Sequence, residues 1–115
     1  MADEPVVRYI EDVPAVPCPC GESTRIITRA DTPVANLHVT HIVDARPHYH
    51  KHCTEIYHVI EGAGRMELDG RAVELRPGAT VVIPPGVVHS SRGGFRTVIV
   101  GVPAWEHTDE FFCPP

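Results

Sequence analysis

The sequence lacks the features that mark membrane-spanning and nucleic-acid-binding proteins. No apolar run approaches the roughly 20 residues that a membrane-spanning helix needs. Lys and Arg number 10 against 15 Asp and Glu, and they form no cluster anywhere along the 115 residues. A net charge of -5 leaves no basic field for a phosphate backbone. We therefore expect neither a membrane nor a nucleic acid as a partner.

The first residues also lack the pattern of a secretory signal. Residues 1–5 are acidic, where such a signal would begin basic and continue apolar. We therefore expect a cytoplasmic protein, and the four cysteines fit that compartment as free thiols. A chain of 115 residues has room for one domain with a modest core.

Helical periodicity is absent as well, apart from a turn near the C-terminus. From Arg25 onward, short runs rich in Val, Ile and Thr alternate with Pro and Gly, which is typical of an all-β sandwich or barrel. Strands are predicted at residues 25–29, 35–43, 49–51, 55–60, 64–68, 71–75, 80–83, 88–90 and 95–102. Asp69-Gly70 predicts a type I′ hairpin turn, because Gly adopts positive φ without steric cost. Residues 81–83 are apolar on both faces and predict a central, buried strand.

This pattern divides the chain into three regions. Residues 1–24 contain repeated prolines and are predicted to form an extended arm folded over the barrel, with a short edge strand at residues 6–10. Residues 25–104 are predicted to form the barrel itself. Residues 105–115 form a tail with Trp105, Phe111 and Phe112, which we expect to pack on the barrel or on a dimer partner because aromatic rings are costly to leave in water.

Histidine is concentrated in one stretch, His48-Tyr49-His50-Lys51-His52-Cys53-Thr54-Glu55. His48 and His50 are two positions apart and therefore share one face of a strand. Glu55 reaches the same side only if the chain bends between these residues and the next strand. Imidazole and carboxylate groups arranged in this way can hold a divalent metal ion.

A second segment can complete such a site. Pro84-Pro85-Gly86 predicts a type II turn, because proline suits one central position of that turn and glycine the next. The turn would direct His89 back toward the interior. A fourth ligand can therefore arrive from across the sandwich.

Together the two segments resemble the two motifs of the cupin superfamily. The first motif is matched by His48-x-His50, four residues, Glu55, six residues and Gly62. The second is matched by Gly78, five residues, Pro84-x-Gly86, two residues and His89. The resemblance covers about residues 35–102 and departs from the family at two positions. Ile42 stands where the first motif opens with Gly, and Gly93 stands where the second closes with Asn.

The resemblance implies a double-stranded β-helix, a jelly-roll barrel of six to eight strands. It also implies one divalent metal ion bound by His48, His50, Glu55 and His89. Three imidazoles and a carboxylate suit Fe(II), Mn(II) or Ni(II), and Zn(II) also fits. In an octahedral site, two positions remain open for water, substrate or dioxygen.

The other histidines are not expected to bind the metal. His52 and His58 are expected at the surface or behind the ligands, because the four ligands already fill the protein's share of the site. His38 and His41 lie on opposite faces of one strand, so at most one of them points inward.

Three functions from different classes stay open. The open coordination positions favour a metal-dependent oxidoreductase of the dioxygenase type acting on a small organic molecule, with Glu55 and Tyr57 assisting proton movement. The second candidate is a non-redox isomerase, epimerase or lyase in which the metal polarises a carbonyl group. The third is a small-ligand binding protein with a structural metal. The open edges of the barrel and the aromatic tail predict a homodimer.

Overall fold

The computed structural model describes residues 4–113, and in that range the chain forms nine β-strands and two short 3-10 helices. The strands are β1 (Val16–Cys18), β2 (Gly21–Ile27), β3 (Asn36–Tyr49), β4 (Thr54–Gly62), β5 (Gly64–Leu68), β6 (Arg71–Leu75), β7 (Thr80–Ile83), β8 (His89–Val102) and β9 (Phe111–Phe112). The 3-10 helices are Ile10–Asp12 and His107–Asp109. No helix in the described range is long and apolar enough to span a membrane.

Two long strands organise the sheet. β3 and β8 have 14 residues each and pair antiparallel to one another. The strand order is β1-β2-β3-β8-β4-β7, with the β5–β6 hairpin joined to β8 and β9 joined to β3. The register of β3 against β8 shifts between Ile42 and Asp44 and again between Ala45 and His48. Such irregularities bend a strand, so that one strand can serve both faces of a closed structure. The all-β jelly-roll barrel is confirmed.

These irregularities explain two errors in the predicted strand boundaries. Residues 36–43 and 49 belong to the single strand β3, and residues 89–90 and 95–102 belong to the single strand β8. The predicted positions 35, 50–51 and 88 lie outside these strands. Pro47, Gly93 and Gly94 lie between the predicted segments, and the chain accommodates them at irregularities within one strand. The predicted edge strand at residues 6–10 is also wrong, because a 3-10 helix begins at Ile10.

The prediction that residues 81–83 form a central strand is wrong. β7 lies at the end of the strand order and pairs with β4 alone among the described strands. Val82 is 60% exposed, while Ile83 beside it is 1% exposed. Two apolar faces therefore do not imply burial on both, because much of any protein surface remains apolar.

The type I′ hairpin is confirmed. Asp69 and Gly70 have φ values of 48° and 84°, and Leu68 of β5 pairs with Arg71 of β6 on either side of them. Positive φ at both central positions gives this turn the twist that the flanking strands need.

The core explains both departures from the family motifs. It is formed mainly by Ile42, Val59, Met66, Leu75, Ile83 and Phe95, each at most 2% exposed. Ile42 therefore contributes apolar surface where the motif has Gly. Gly93 has φ 131°, and a Cβ atom there would lie 2.5 Å from Cα of Gly64. An asparagine at that position would clash with the facing backbone.

Candidate metal centre

Four buried side chains converge at one point in the barrel. His48 comes from the end of β3, His50 follows that strand directly, Glu55 lies near the start of β4, and His89 is the first residue of β8. One ligand atom from each lies within 4.8 Å of the other three. All four residues are at most 7% exposed. The structure therefore brings together the four residues that the spacing of the motifs selects.

Strand pairing places His89 beside His48. The two residues are direct partners in the register of β3 and β8, and their rings are 4.2 Å apart. The predicted type II turn precedes His89: Val87 N–H donates to the carbonyl of Pro84 over 3.3 Å, and Gly86 has φ 86°. Gly86 N–H also donates to the carbonyl of His50 over 2.7 Å. The turn is thus fastened to the segment that carries the other histidines.

The bend between His50 and Glu55 is held by one carboxylate from the C-terminal region. The backbone N–H groups of Lys51, His52 and Cys53 donate to the carboxylate of Asp109 over 2.8, 3.1 and 3.0 Å. Asp109 is only 6% exposed. Because the chain turns around this carboxylate, Glu55 faces the same side as the two histidines.

Each ligand imidazole is oriented by a backbone carbonyl. Nδ1 of His48 lies 2.8 Å from the carbonyl oxygen of Arg46, Nδ1 of His50 lies 2.8 Å from that of Asp109, and Nδ1 of His89 lies 3.0 Å from that of Val87. A carbonyl oxygen only accepts hydrogen bonds, so Nδ1 carries the proton in each ring. With Nδ1 held in this way, the Nε2 atom of each ring faces the centre, as in metal-binding histidines.

The converging atoms do not satisfy one another. Oε1 of Glu55 lies 2.9 Å from Nε2 of His50 and 3.2 Å from Nε2 of His89. Despite these distances, the three buried atoms have no hydrogen-bond partner of suitable direction within residues 4–113. Buried polar atoms without partners are costly. One cation at their point of convergence would satisfy all three, so the residues fit a divalent metal ion.

The carboxylate of Glu55 supplies a negative charge at the centre. Burial raises the pKa of Glu55, but its contacts with His50 and His89 outweigh this effect and lower the pKa to about 2. Burial lowers the pKa of His50, but the neighbouring Glu55 carboxylate raises it to about 9. Burial and the nearby His89 lower the pKa of His48 to about 4. The carboxylate is therefore ionised, as a metal ligand must be.

A cavity of about 290 Å³ opens from this centre. Glu55 and His48 form part of its wall, with apolar contributions from Ile42, Ala45 and Ile99. Both ends of the chain complete the enclosure: residues 18–20 of the N-terminal region and Trp105, Glu110 and Phe112 of the C-terminal region. The centre therefore faces a space that can admit a small molecule.

Tyr57 also lines this cavity. Its side chain is 4% exposed, and its ring lies edge-on to that of His89 with the centroids 6.4 Å apart. Burial and the Glu55 charge raise its pKa well above the usual range. The hydroxyl is therefore neutral and can donate or accept a hydrogen bond in the cavity.

The remaining predicted histidines lie away from the centre. His41, His52 and His58 are exposed, and Nδ1 of His58 is 2.8 Å from the Thr80 hydroxyl. His38 lines the cavity, and burial lowers its pKa to about 4. His38 therefore points inward and His41 outward, in agreement with their positions on opposite faces of one strand.

Three polar residues of the site were not predicted from the sequence. Asp109 orders the ligand-bearing bend, Arg25 lines the cavity, and Glu110 lines it with Oε1 3.9 Å from Nε2 of His48. Burial raises the pKa of Glu110. The aromatic tail drew attention to the C-terminal region, but its two acidic residues carried no recognisable spacing from the histidines.

The C-terminal region folds back onto the barrel. Phe111 stacks on Tyr49 with the ring centroids 5.4 Å apart, and Arg46 lies over the ring of Phe112 at 4.2 Å. Both phenylalanines belong to β9, which pairs with the end of β3. The tail is thus placed beside the ligand His48.

Comparison with known proteins finds one family and several relatives. The family model described as "Cupin domain" matches residues 37–94, half of this 115-residue chain. The crystal structure of a protein from Planctomyces limnophilus is 31% identical, with a TM-score of 0.88 over 95% of this chain and 97% of that chain.

Two curated relatives match part of the chain. Quercetin 2,3-dioxygenase of Bacillus subtilis is 39% identical over 56 residues, which are 48% of this chain and 17% of that protein. An uncharacterized protein of Methanocaldococcus jannaschii is 35% identical over 66 residues, with 52% of this chain and 53% of that protein covered. The match therefore spans about half of one relative and a much smaller part of the other.

Proposed function

This chain belongs to the cupin family, and we propose that it is a metal-dependent oxidoreductase of the dioxygenase type acting on a small organic molecule. The observation that carries the proposal is the convergence of three imidazoles and a carboxylate, with unpartnered polar atoms, at the wall of a cavity. The 39% sequence identity to a quercetin 2,3-dioxygenase over 56 residues supports the proposed oxidative chemistry.

We assign His48, His50, Glu55 and His89 as the residues that would hold one divalent ion. Fe(II), Mn(II) and Ni(II) suit this mixture of nitrogen and oxygen ligands, and Zn(II) also fits it. When bound, such an ion supplies Lewis acidity and, for a redox-active metal, electron transfer next to the cavity.

The chain's own groups prepare the site for this chemistry. The carbonyls of Arg46, Asp109 and Val87 hold the three Nδ1 protons, so that the imidazoles keep a single orientation. Glu55 and Tyr57 are the proposed catalytic residues: each presents an oxygen to the cavity at which a proton can be held or transferred. Ile42, Ala45 and Ile99 form an apolar wall that limits water around the bound molecule.

Oxygen uptake tests the proposal. The protein is purified without a histidine tag, its metal content is measured, and it is reconstituted anaerobically with Fe(II). Oxygen consumption is then followed with catechols, diketones and thiols. We expect metal-dependent consumption, matched by product, with at least one of these classes. Metal-loaded protein that consumes no oxygen with any of them would contradict the dioxygenase assignment.

A non-redox reaction is the second candidate, and Glu110 favours it. This residue lines the cavity with a second carboxyl group, whose Oε1 lies 3.9 Å from Nε2 of His48. Two proton-transfer groups near a Lewis-acidic ion suit an isomerase, epimerase or lyase. Conversion of a carbonyl substrate by the Zn(II)-loaded protein without oxygen would support this candidate over the first.

We also propose a homodimer. Its support is the open edge of β7, which pairs with β4 alone among the described strands. Light scattering during gel filtration measures the mass directly, and a monomeric mass across the accessible concentration range would exclude this assembly.

A further inference from the structure

A row of four side chains crosses the interior of the barrel and ends at an arginine. Arg25 of β2 pairs in register with His38 of β3, His38 with Ile99 of β8, and Ile99 with Tyr57 of β4. All four line the cavity. The side chain of Arg25 therefore belongs to the same space as the histidine and glutamate cluster, at its opposite side.

Arg25 has no anionic partner in the described part of the chain. Its Nε is buried and without a hydrogen-bond partner. Two other arginines contrast with it: Arg8 and Arg29 each have a carboxylate oxygen at 2.8 Å, from Asp31 and Glu106 respectively. A guanidinium group carries five N–H donors and stays charged at physiological pH. A half-buried guanidinium without an anionic partner is suited to bind a ligand that supplies a hydrogen-bond acceptor.

The guanidinium is held in place by an aromatic ring. Cζ of Arg25 lies 5.3 Å from the centre of the Trp105 ring, and the edge of that ring meets His38 with the centroids 6.2 Å apart. Trp105 is fixed in turn, because its backbone N–H donates to Oδ1 of Asn36 over 2.7 Å. Stacking on an aromatic face positions a guanidinium without occupying its N–H donors. The stacking therefore leaves these donors available to a ligand in the cavity that Arg25 lines.

The separation between Arg25 and the cluster suits a small molecule. Three strand spacings separate Arg25 from Tyr57, which corresponds to about 14 Å between backbones before the side chains reach inward. Glu55 lies two residues from Tyr57 on the same face of β4. The cavity volume of about 290 Å³ is at the lower end of the range for drug-sized ligands. A compact molecule can therefore contact both sides at once.

We propose that Arg25 binds a carboxylate group of the substrate and so directs the rest of the molecule toward His48 and Glu55. The second half of this statement rests on the proposed function, because it assumes that the reacting end lies at the metal centre. The first half depends on Arg25 alone. His38, which pairs with Arg25, offers a neutral ring that can donate a further hydrogen bond to the same carboxylate.

Charge favours a carboxylate over a phosphate. The cavity already contains the carboxyl groups of Glu55 and Glu110, and Arg46 at its wall lies over the ring of Phe112. One guanidinium balances the single charge of a carboxylate and can bind it through two parallel N–H···O bonds. A phosphate group would bring about -1.5 to -2 charges and leave part of them uncompensated.

A matched pair of probes tests the proposal. Catechol and protocatechuate share two adjacent hydroxyl groups that can chelate a metal, and protocatechuate adds one carboxylate. Their Kd values are measured by calorimetry on the Zn(II)-loaded protein, on Arg25→Gln, on Arg25→Lys and on Arg65→Gln, which alters an exposed arginine of β5. We expect the natural protein to prefer protocatechuate by roughly ten-fold or more, since a charge-assisted, paired hydrogen bond is among the stronger polar contacts.

The variants decide which group gives this preference. The preference should vanish in Arg25→Gln, fall partly in Arg25→Lys because the fork of donors is lost, and persist in Arg65→Gln. A natural protein without preference, or an Arg25→Gln variant that keeps it, would overturn the proposal. If Arg25→Gln does not fold, unchanged preference in a folded Arg25→Lys protein has the same meaning.

Two further probes separate this proposal from the proposed function. Benzoate is titrated into the metal-free natural protein and into metal-free Arg25→Gln. Binding that is roughly ten-fold weaker in the variant supports the carboxylate site, even if neither protein retains a metal. Equal benzoate binding by both proteins rejects the site while leaving the metal centre intact. Phenyl phosphate is compared with benzoate in the same way, and tighter binding of the phosphate would reject the carboxylate assignment.

Discussion

The two sides of the cavity are held together in different ways. On one side, the antiparallel strands β3, β4 and β8 carry His48, Glu55 and His89, and His50 directly follows β3. On the other side, the two terminal regions are attached by short strand pairings, such as that of β9 with β3, and by individual side chains. Asp109 accepts hydrogen bonds from three backbone N–H groups, and Asn36 accepts one from the backbone N–H of Trp105. Arg8 forms a salt bridge with Asp31.

One side of the cavity therefore supplies the metal ligands, and the other helps to orient them. The barrel side supplies the nitrogen and oxygen atoms that would bind the ion. The terminal side supplies the Asp109 carbonyl that orients His50 and the carboxylate that shapes the bend before Glu55. Changes on the barrel side should therefore remove the metal, whereas changes on the terminal side should weaken or misdirect it.

The largest expected effect is on the barrel side. His48→Ala or His50→Ala removes one of four ligands, and we expect the purified protein to retain no metal while its β-sheet circular dichroism is unchanged. Elemental analysis measures the metal directly. His52→Ala is the matched control, because this exposed histidine lies between two of the ligands in sequence and should not affect metal content. Full metal occupancy in the His48→Ala protein would show that the site has been assigned wrongly.

Tyr57→Phe should separate turnover from metal binding on the same side. The change removes one hydroxyl from the cavity and leaves the ring and all four ligands. We expect the metal content to be unchanged and kcat to fall roughly 100-fold, the lower range for loss of a proton-transfer group. Steady-state oxygen uptake with the best substrate of the panel gives the value. An unchanged kcat would make Tyr57 a packing residue only.

Asp109→Ala tests the terminal side. Three backbone N–H groups lose a buried acceptor, and we expect metal affinity to fall roughly 10- to 100-fold, as is typical when the groups that orient metal ligands are removed. Competition with a Zn(II) chelator measures this affinity, and thermal unfolding should show a lower Tm. Thr108→Ala is the control, since that neighbour is exposed. Affinity equal to that of the natural protein would mean that the bend before Glu55 keeps its shape without this carboxylate.

The smallest effect concerns the N-terminal region. Arg8 donates to both carboxylate oxygens of Asp31 over 2.8 and 3.0 Å, and this interaction, with a backbone N–H from Thr28, lowers the pKa of Asp31 to about 2. Because the pKa is lower in the folded state, the ionised Asp31 stabilises the fold at pH values above its unfolded pKa of about 3.9. This stabilisation is lost as the pH falls through the folded pKa. The pair is exposed, so salt should weaken it.

Urea unfolding of the natural protein and of Arg8→Gln measures this contribution. We expect a small difference in midpoint near about pH 7 that disappears as the pH falls toward about 2. Glu67→Gln, an exposed change on β5, should show no such pH-dependent difference. A difference between the proteins that persists in acid would indicate that Arg8 acts by packing rather than by charge.

The sequence by itself determined the fold class, the two turns and the four converging ligands. The turns and the shared face of His48 and His50 depend on neighbours in the chain. The Asp69-Gly70 turn needs only positive φ at two adjacent residues, and His48 and His50 share a face because strand side chains alternate. The Pro84-Pro85-Gly86 turn determines where His89 starts its strand. The family motifs add the long-range pairing that such local rules leave open.

Only the tertiary structure decided which other groups complete the site. His50 and Asp109 are 59 residues apart, and Arg25 meets Trp105 from the opposite end of the chain. Any exposed or buried acidic residue could have accepted the three N–H groups of the bend, so no spacing in the sequence selects Asp109. The same holds for β7, whose apolar pattern did not reveal that one face remains in water. These features depend on how whole strands pack, and side-chain type alone does not specify that.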